Sequence, residues 1–456
     1  MADNSSSRGW SSNYLFLLAS IGSTVGLSNI WKFTYLVGEN GGGAFVLIYL
    51  ISLLLIGIPV LVAELMIGRR GGQSIVGSML VLSKKEGISK HWQYFGSIAL
   101  LGVFFILSFY CVIAGLTIDY ATFSLMGSLS HLDAQSAVSY YNDILGSPLR
   151  IMFFQGLFVT ATVWIVANGV QGGLEKSVSW MMPALFIILV VLLFYSAITG
   201  EFVKALRFMF TPDFSKLTPA VVMTAFGQAF FSLGVGLGVM LTYGAYMSKD
   251  SSILGSAVTI SFADGFAAIL SGLAIFPIVF QYGLSPTEGP GLLFMTLPIA
   301  FGQMPGGGFV GALFFVLLVF AALSSSISLL ESIISRLEEV SSWGRKKITI
   351  VAGILLWVLG LGTVFSFNIW SDFTPFDMIK PLEGKTIFGL IDYFASNILM
   401  PVCGILMAII GGWVLSKESS KSELNIKDER LFHIWRFLVR YIAPAAVLII
   451  FISNLS

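Results

Sequence analysis

Several ionisable residues lie inside otherwise apolar stretches of the chain: Lys32, Glu64, Asp119, Asp264, Glu331 and Asp392. A charge at the centre of a membrane helix costs about 2.5–3.5 kcal/mol on insertion scales, so each needs a partner or an aqueous pathway. Asp264, in "SFADGFAAIL", reads as a cation ligand; Asp119 and Glu331, nearer the ends of their stretches, suit a structural pairing equally well. Two apolar stretches are also interrupted in the same way, at "GSTVGLSN" (Gly22–Asn29) and "FFSLGVGLG" (Phe230–Gly238). A helix broken there turns free amides towards an anion and free carbonyls towards a cation. Close-packed glycines at helix crossings are the alternative for either segment alone. A matched pair of interruptions instead points to the binding site of an inverted-repeat transporter, since irregular backbone at membrane depth is tolerated only around a cavity.

The elements that must carry these residues follow from composition. With 56% hydrophobic and 11% charged residues over 456 positions, and a mean hydropathy of +0.89, the chain is too apolar for one water-facing surface. It reads as an all-α, polytopic membrane protein. About 11 apolar windows are each long enough to cross a bilayer core as a helix. They lie near 12–37, 42–69, 92–124, 149–168, 174–199, 219–247, 254–284, 309–339, 346–366, 387–415 and 431–454. If windows one to five and six to ten are copies of opposite topology, the first and sixth helices correspond, and both are unwound at mid-membrane. The whole of 1–456 is then one transmembrane domain, with repeats at about 12–199 and 219–415 and an extra helix at about 431–454. Outer segments at 127–148 and 201–216 are too short to be separate domains.

Basic residues cluster in alternate connections: Arg69, Arg70, Lys84, Lys85 and Lys90; Lys249; Arg345, Lys346 and Lys347; Lys417, Lys421, Lys427 and Arg430. The positive-inside rule makes those connections cytoplasmic, with the N-terminus inside and the C-terminus outside. The start, "MADNSSSRGW", carries no cleavable-signal pattern. Cys111 and Cys403 fall within spans and read as packed free thiols, without a disulfide or metal framework. A net charge of +1 and the lack of a basic domain argue against a nucleic-acid partner. An enzyme reading would need Asp119 and Asp264 as an aspartyl pair, but "TIDYA" and "FADGF" lack the glycine-rich protease motif. No H-E-x-x-H or G-x-S-x-G occurs either.

The stretches "VGLSNIWKFTYLVGENGGGAF", "ELMIGRRGG", "SFYCVIAG", "GGLEKSVSWMMP", "GQAFFSLGVGLGVMLTYGAY" and "FAALSSSISLLE" occur in order over nearly the whole chain. On them the chain resembles the neurotransmitter:sodium symporters, particularly bacterial amino-acid members with the leucine-transporter fold. The resemblance implies sodium-coupled symport of a neutral amino acid into the cell by alternating access, with two sodium ions. One ion would take the Thr24 carbonyl, the side chain of Asn29, Ser232, Asp264 and the substrate carboxylate. The other would take carbonyls of Gly22, Val25 and Ala321 with the hydroxyls of Ser324 and Ser325. All-oxygen ligation suits a hard cation. The substrate carboxylate would meet amides around Leu27 and Ser28 and the Tyr110 hydroxyl, and Ile106, Phe231, Gly234, Leu237, Ser325 and Leu329 would line the side-chain pocket.

The resemblance also implies an outer gate of Lys32, Gln228 and Asp392, closed with Phe231 and Tyr110, and an inner gate of Arg8, Trp10, Tyr246 and Glu339. Gly173 and Pro183 resemble a motif tied to unwinding of the fifth span; a simple kink is the competing reading. Glu64 would satisfy backbone donors of the broken helices. Departures from the family sharpen the expectation. Gly26 stands where monoamine carriers have aspartate, which suits a substrate that brings its own carboxylate. Ser28 replaces a common glycine and narrows the pocket or adds a hydrogen bond, while Gly234 and Leu237 replace larger polar and aromatic residues. The apolar lining suits a bulky aliphatic or aromatic amino acid. Asp264 replaces the neutral asparagine of chloride-dependent members, so transport is expected to be chloride-independent. A proton-coupled amino-acid permease of the same fold is the alternative. A lipid bilayer, a prokaryotic cell membrane and a monomer or weak dimer complete the expectation, with sodium the only metal.

Overall fold

In the computed structural model, which describes residues 9–129, 132–287 and 291–455, every apolar window forms helix. Helices satisfy their own amides and carbonyls, which lipid cannot do. The first window gives α1 (Asn13–Thr24) and α2 (Ser28–Glu39), which meet at a bend of 51°. Next come α3 (Gly43–Gly71), a short α4 (Ile75–Glu86) and the long α5 (Lys90–Leu125). After α6 (Ala134–Leu145) follow α7 (Pro148–Ala167), α8 (Val170–Thr199) and the short α9 (Phe202–Phe210). The sixth window splits into α10 (Pro219–Ser232) and α11 (Val239–Ala245). The remainder comprises α12 (Ile253–Gln281), α13 (Leu292–Gln303), α14 (Gly307–Val340), α15 (Arg345–Ser366), α16 (Ile387–Val414), α17 (Lys417–Leu424) and α18 (Glu429–Ser453). Among the described residues, 9 helices are long and apolar enough to span a membrane, or 10 with the bent α1–α2 pair counted.

The short helices α4, α6, α9, α13 and α17 were not expected. A 12-residue helix such as α6 is only ~18 Å long, so a span-length reading of hydropathy passes over it. Local sequence explains where the longer ones begin. Ser12 caps α1 by accepting from the Leu15 amide, Thr218 caps α10 ahead of Pro219, and Ser252 caps α12 from the Gly255 amide.

Both broken helices stop for identifiable reasons. At Val25 the backbone leaves helical geometry (φ −73°, ψ 90°), ending α1. Between α10 and α11 the chain needs left-handed turns at Gly234, Gly236 and Gly238 (φ 60°, 96° and 74°), which a side chain would oppose. α1 packs against α8, α12 and α14, and α10 against α3.

Charges at the helix ends are tied together. Asp119 of α5 accepts from Arg150 at 2.6 Å and from the Tyr140 hydroxyl at 3.1 Å, so this carboxylate is paired. Arg69 at the end of α3 reaches Glu423 of α17 at 2.6 Å and the Ser251 carbonyl at 2.6 Å. Glu86 of α4 is bonded by Arg70 and Ser419. Burial opposes its ionisation, but those two donors outweigh it and hold the carboxyl below its ordinary range.

A tight seam lies between α3 and α11. A Cβ on Gly68 would fall 2.0 Å from the Leu241 carbonyl oxygen, and one on Gly244 2.7 Å from the Leu65 carbonyl oxygen. Gly68→Ala should therefore overpack the seam, at a cost of about 1–3 kcal/mol. A thermal melt in detergent should show a lowered midpoint; an unchanged one would mean that the two backbones can part freely.

Candidate functional site

Where the two broken helices face each other they enclose, with α5, α14 and α16, a cavity of about 390 Å³. Leu27, Ser28, Ile106, Tyr110, Phe231, Gly234, Leu237, Ser325 and Leu329 all line it, as do Thr24, Ser232, Lys32 and Asp392. The helix breaks bring these residues together, because residues at the ends of α1 and α10 turn into the gap rather than along a continuous helix. Nothing lies within 4 Å of where a Gly234 Cβ would stand. A Cβ on Gly26 would sit 2.6 Å from the Ser325 hydroxyl, so a larger residue there would have to turn that hydroxyl aside.

Beside the cavity lies a fully buried carboxylate. Asp264 accepts from Asn29 Nδ2 at 2.8 Å through Oδ1, and through Oδ2 from Ser232 at 2.6 Å and Tyr49 at 3.2 Å. Asn29 Nδ2 also reaches the Asp264 carbonyl (3.1 Å) and the Ser232 hydroxyl (3.0 Å). Every partner is neutral, and among the described residues Asp264 is in no ion pair. A buried carboxylate without a counter-charge is costly, and the arrangement is chemically apt for a small cation. The Ser28 hydroxyl points to this group as well, donating to Asn29 Oδ1 at 3.0 Å, as does the Gly26 amide at 3.1 Å.

A second oxygen cluster joins α1 to α14. Ser325 donates to the Gly22 carbonyl at 3.5 Å, and Ser324 to the Ala321 carbonyl at 3.1 Å. A Cβ on Gly22 would come within 3.2 Å of Ser324 Cβ and 2.7 Å of Met182 Sδ. Val25, the residue at which α1 ends, is fully buried beside them. Near the other end of the cavity, the buried Tyr110 hydroxyl lies close to Ser325 and the Leu27 amide yet forms no well-made hydrogen bond. It is an oriented donor beside an amide at a helix N-terminus, apt for an anionic group.

Glu64 of α3 accepts from the Gly236 amide, within the break between α10 and α11. Towards α2 and α16, the Lys32 ammonium sits 3.9 Å over the Phe231 ring, while Asp392 accepts from Ser396 at 2.8 Å; Lys32 and Asp392 are not within ion-pair distance. Gln228 donates to the Ser28 carbonyl at 3.0 Å.

At the far end of α1 from the helix break, the N-terminal segment is tied across α8 and α11. Trp10 donates through its indole to the Tyr243 carbonyl (3.1 Å) and through its amide to the Tyr246 carbonyl (3.3 Å). Ser11 gives both its amide and its hydroxyl to Glu175, each at 2.7 Å, and Gln171 donates to the Gly9 carbonyl at 2.9 Å. The Tyr246 hydroxyl donates to Glu331, which is paired with Arg345. The structure does not bring Glu339 to Tyr246: Glu339 accepts from Ser74 and Arg336. Arg8 lies outside the described residues. Gly173 and Pro183 both lie in α8, wound here throughout, with wider π-type hydrogen bonding over Val170–Glu175.

Sequence reasoning missed Tyr49, Glu175 and Arg345. It also missed Tyr141 and Phe294, which line the cavity from α6 and α13, helices it read as connections. Tyr49 stands in an apolar run, fifteen positions before Glu64, and carried no signal of its own. Glu175, two residues from Gly173 and level with the start of a span, did offer one.

Paired helix breaks around a buried cavity with a carboxylate at its edge define a membrane carrier rather than an enzyme. The model of the sodium:neurotransmitter symporter family matches residues 8–143 and 147–456, and the chain belongs to that family. An uncharacterized sodium-dependent transporter of Haemophilus influenzae is 36% identical over 99% of both chains. A sodium-dependent neutral amino acid transporter of Bos taurus, B(0)AT2, is 31% identical over 59% of this chain and 40% of its own. Among solved structures, MhsT in complex with L-phenylalanine superposes with a TM-score of 0.89 at 40% identity, over 98% of this chain and 99% of that one. The chain is thus a multi-pass membrane protein of a sodium-dependent transporter family, with the leucine-transporter fold.

Glu175→Ala removes a charged acceptor shared by two donors, each such bond being worth about 1.5–3 kcal/mol. Amide exchange of residues 9–12 should then accelerate more than about tenfold by hydrogen-exchange mass spectrometry; unaltered exchange would show that the Trp10 and Gln171 bonds hold the segment without Glu175.

Proposed function

We propose that the protein carries a neutral, hydrophobic or aromatic L-amino acid into the cell, driven by two sodium ions and independent of chloride. The observation that carries this reading is the unpaired Asp264 carboxylate, bonded to Asn29 and Ser232 beside a cavity whose Tyr110 hydroxyl and Leu27 amide converge. A sodium ion would sit among Asp264, Ser232, Thr24 and Asn29 once a half-turn of the Asn29 amide presents its oxygen. The amino-acid carboxylate would complete the shell while accepting from Tyr110 and Leu27, coupling cargo to ion. The second ion would take Gly22, Val25, Ala321, Ser324 and Ser325, tying α1 to α14. The largely apolar lining, with open space beyond Gly234, suits a large side chain, and the likeness to MhsT solved with L-phenylalanine and to a neutral amino acid transporter supports it. The fixed charge of Asp264 takes the place of chloride.

In the cycle, Lys32 and Asp392 close the outer side with Gln228, Phe231 and Tyr110 once the site is filled. The inner side opens when Trp10, Ser11 and Tyr246 release, assisted by Arg8 and by unwinding of α8 at Gly173 and Pro183. Glu339 stands apart from this closure, and Glu331 with Arg345 takes the place expected of it. We further assign the chain to a prokaryotic cell membrane with its N-terminus inside and C-terminus outside, as a monomer or weak dimer. It forms one domain of two inverted repeats, about 12–199 and 219–415, with α18 outside them. A charge entering across 100 mV releases about 2.3 kcal/mol, so two sodium ions supply ~4.6 kcal/mol. At about 1.4 kcal/mol per tenfold, that supports more than a thousandfold accumulation before the concentration gradient is added.

Proteoliposomes test the reading directly. Inward sodium should drive concentrative uptake of aromatic or large aliphatic L-amino acids, and replacing chloride with gluconate should leave the rate unchanged. Uptake that follows a proton gradient as well as a sodium gradient would favour the proton-coupled alternative, and collapse in gluconate would remove the role given to Asp264. Within the site, Tyr110→Phe should weaken amino-acid binding roughly 10- to 100-fold, the value of one hydrogen bond to a charged group. Equal affinity in the two proteins would mean that the carboxylate sits elsewhere.

A further inference from the structure

We propose that Arg436 and Arg440, on the first half of α18, form a binding site for a phosphate group carried by the headgroup of an anionic phospholipid. The two residues are one helical turn apart and so share a face of the helix. Arg440 lies flat over the Trp413 ring at 3.8 Å and against Tyr441 at 5.8 Å, while Trp413 donates to the Arg440 carbonyl at 3.0 Å. Arg436 donates through Nη2 to the Leu415 carbonyl at 3.3 Å, where α16 has just ended. Gly412 allows this close approach: a Cβ there would lie 2.9 Å from the Arg440 Cα.

What these contacts leave over is the argument. Arg436 Nη1 and Arg440 Nε are buried with no hydrogen-bond partner, and neither arginine is in an ion pair among the described residues. Other buried or half-buried arginines have carboxylate partners: Arg69 takes Glu423, Arg70 takes Glu86 and Arg345 takes Glu331. Glu418, the carboxylate nearest in charge to Arg436, makes no ion pair with it. Two neighbouring guanidinium groups with inward, unanswered N–H donors repel each other and incur a desolvation cost. A phosphate offers several oxygens in the geometry a guanidinium fork prefers, and one anion can accept from both arginines.

Position identifies the carrier of that phosphate. Trp413 and Tyr441, both about half exposed, lie edge to face beside Arg440, as aromatic residues do at a membrane surface. Lys417, Lys421, Lys427 and Arg430, which precede the pair in the chain, are balanced by Glu418, Glu423, Asp428 and Glu429, so the excess positive charge at this end of α18 is that of Arg436 and Arg440 themselves. Basic pockets between membrane helices on that face suit anionic headgroups. Inorganic phosphate carries the same chemistry without an acyl chain, and the test separates the two.

The full-length protein, Arg440→Gln, Arg440→Lys and Arg436→Gln/Arg440→Gln would be placed in nanodiscs of phosphatidylcholine alone or mixed with phosphatidylglycerol. Bound lipids would be counted by native mass spectrometry. The unaltered protein should retain phosphatidylglycerol in preference to phosphatidylcholine. Each arginine replaced by glutamine should lower that affinity about fivefold, from ~1 kcal/mol per basic residue near an anionic surface. Arg440→Lys should restore only part, because the fork and the stack on Trp413 are lost. Phosphatidylglycerol should also raise the thermal midpoint of the unaltered protein in detergent, and inorganic phosphate should not. Equal retention by the unaltered protein and Arg440→Gln overturns the site, and stabilisation by inorganic phosphate equal to that by the lipid overturns the lipid assignment. If the double variant does not fold, the single variants and the lipid preference of the unaltered protein decide the matter.

Discussion

A peptide group inside a bilayer has no water to turn to, and the rest of this structure depends on how two helices escape that constraint. At the α1–α2 bend and between α10 and α11, the ladder of helical hydrogen bonds is given up where a protein-lined cavity receives the freed groups. The debt is met locally. Glu64 reaches across from α3 to the Gly236 amide, Gln228 reaches the Ser28 carbonyl, and Asn29 folds back to the Gly26 amide. The groups still unanswered, above all the Asp264 charge and the Tyr110 hydroxyl, are those best placed to meet cargo.

This ordering explains how much of the fold and the site could be read before the structure. Hydropathy marks membrane helices strongly because the bilayer demands them, so the spans and both breaks were legible from apolar windows and from the glycines at 22, 26, 234, 236 and 238. The cavity lining followed from the resemblance, which matched Tyr110, Phe231 and Ser325 one by one. Residues acting through tertiary contact were not legible. Tyr49 donates to Asp264 from an apolar run of α3, and only the approach of α3 to α12 reveals it. Glu331 and Glu339 lie eight positions apart on α14, and the resemblance pointed to the one that faces Ser74 rather than Tyr246. Tyr141 and Phe294 come from helices too short to announce themselves by hydropathy.

Charge placement separates two uses of ionisable residues. Asp119 with Arg150 and Glu331 with Arg345 are matched pairs near the ends of spans, where their role is to hold elements in register. Such pairs add little net stability, but removal of one partner leaves a buried charge behind. Asp264 is the contrasting case: it is surrounded by neutral donors, so its charge is stabilised without being cancelled. A site of this kind can bind and release a cation, whereas a protein ammonium in the same place would compete with it.

The glycine seam between α3 and α11 has a mechanical meaning. With Gly68 against the Leu241 carbonyl and Gly244 against that of Leu65, these helices touch backbone to backbone and can neither slide nor roll without collision. One half of the other broken helix, α1, has a softer seat, since Gly22 rests on the flexible thioether of Met182. The two half-helices therefore differ in freedom. One is bolted to a fixed frame, the other rides on a compliant bearing, and any swing at this end of the molecule falls first to α1.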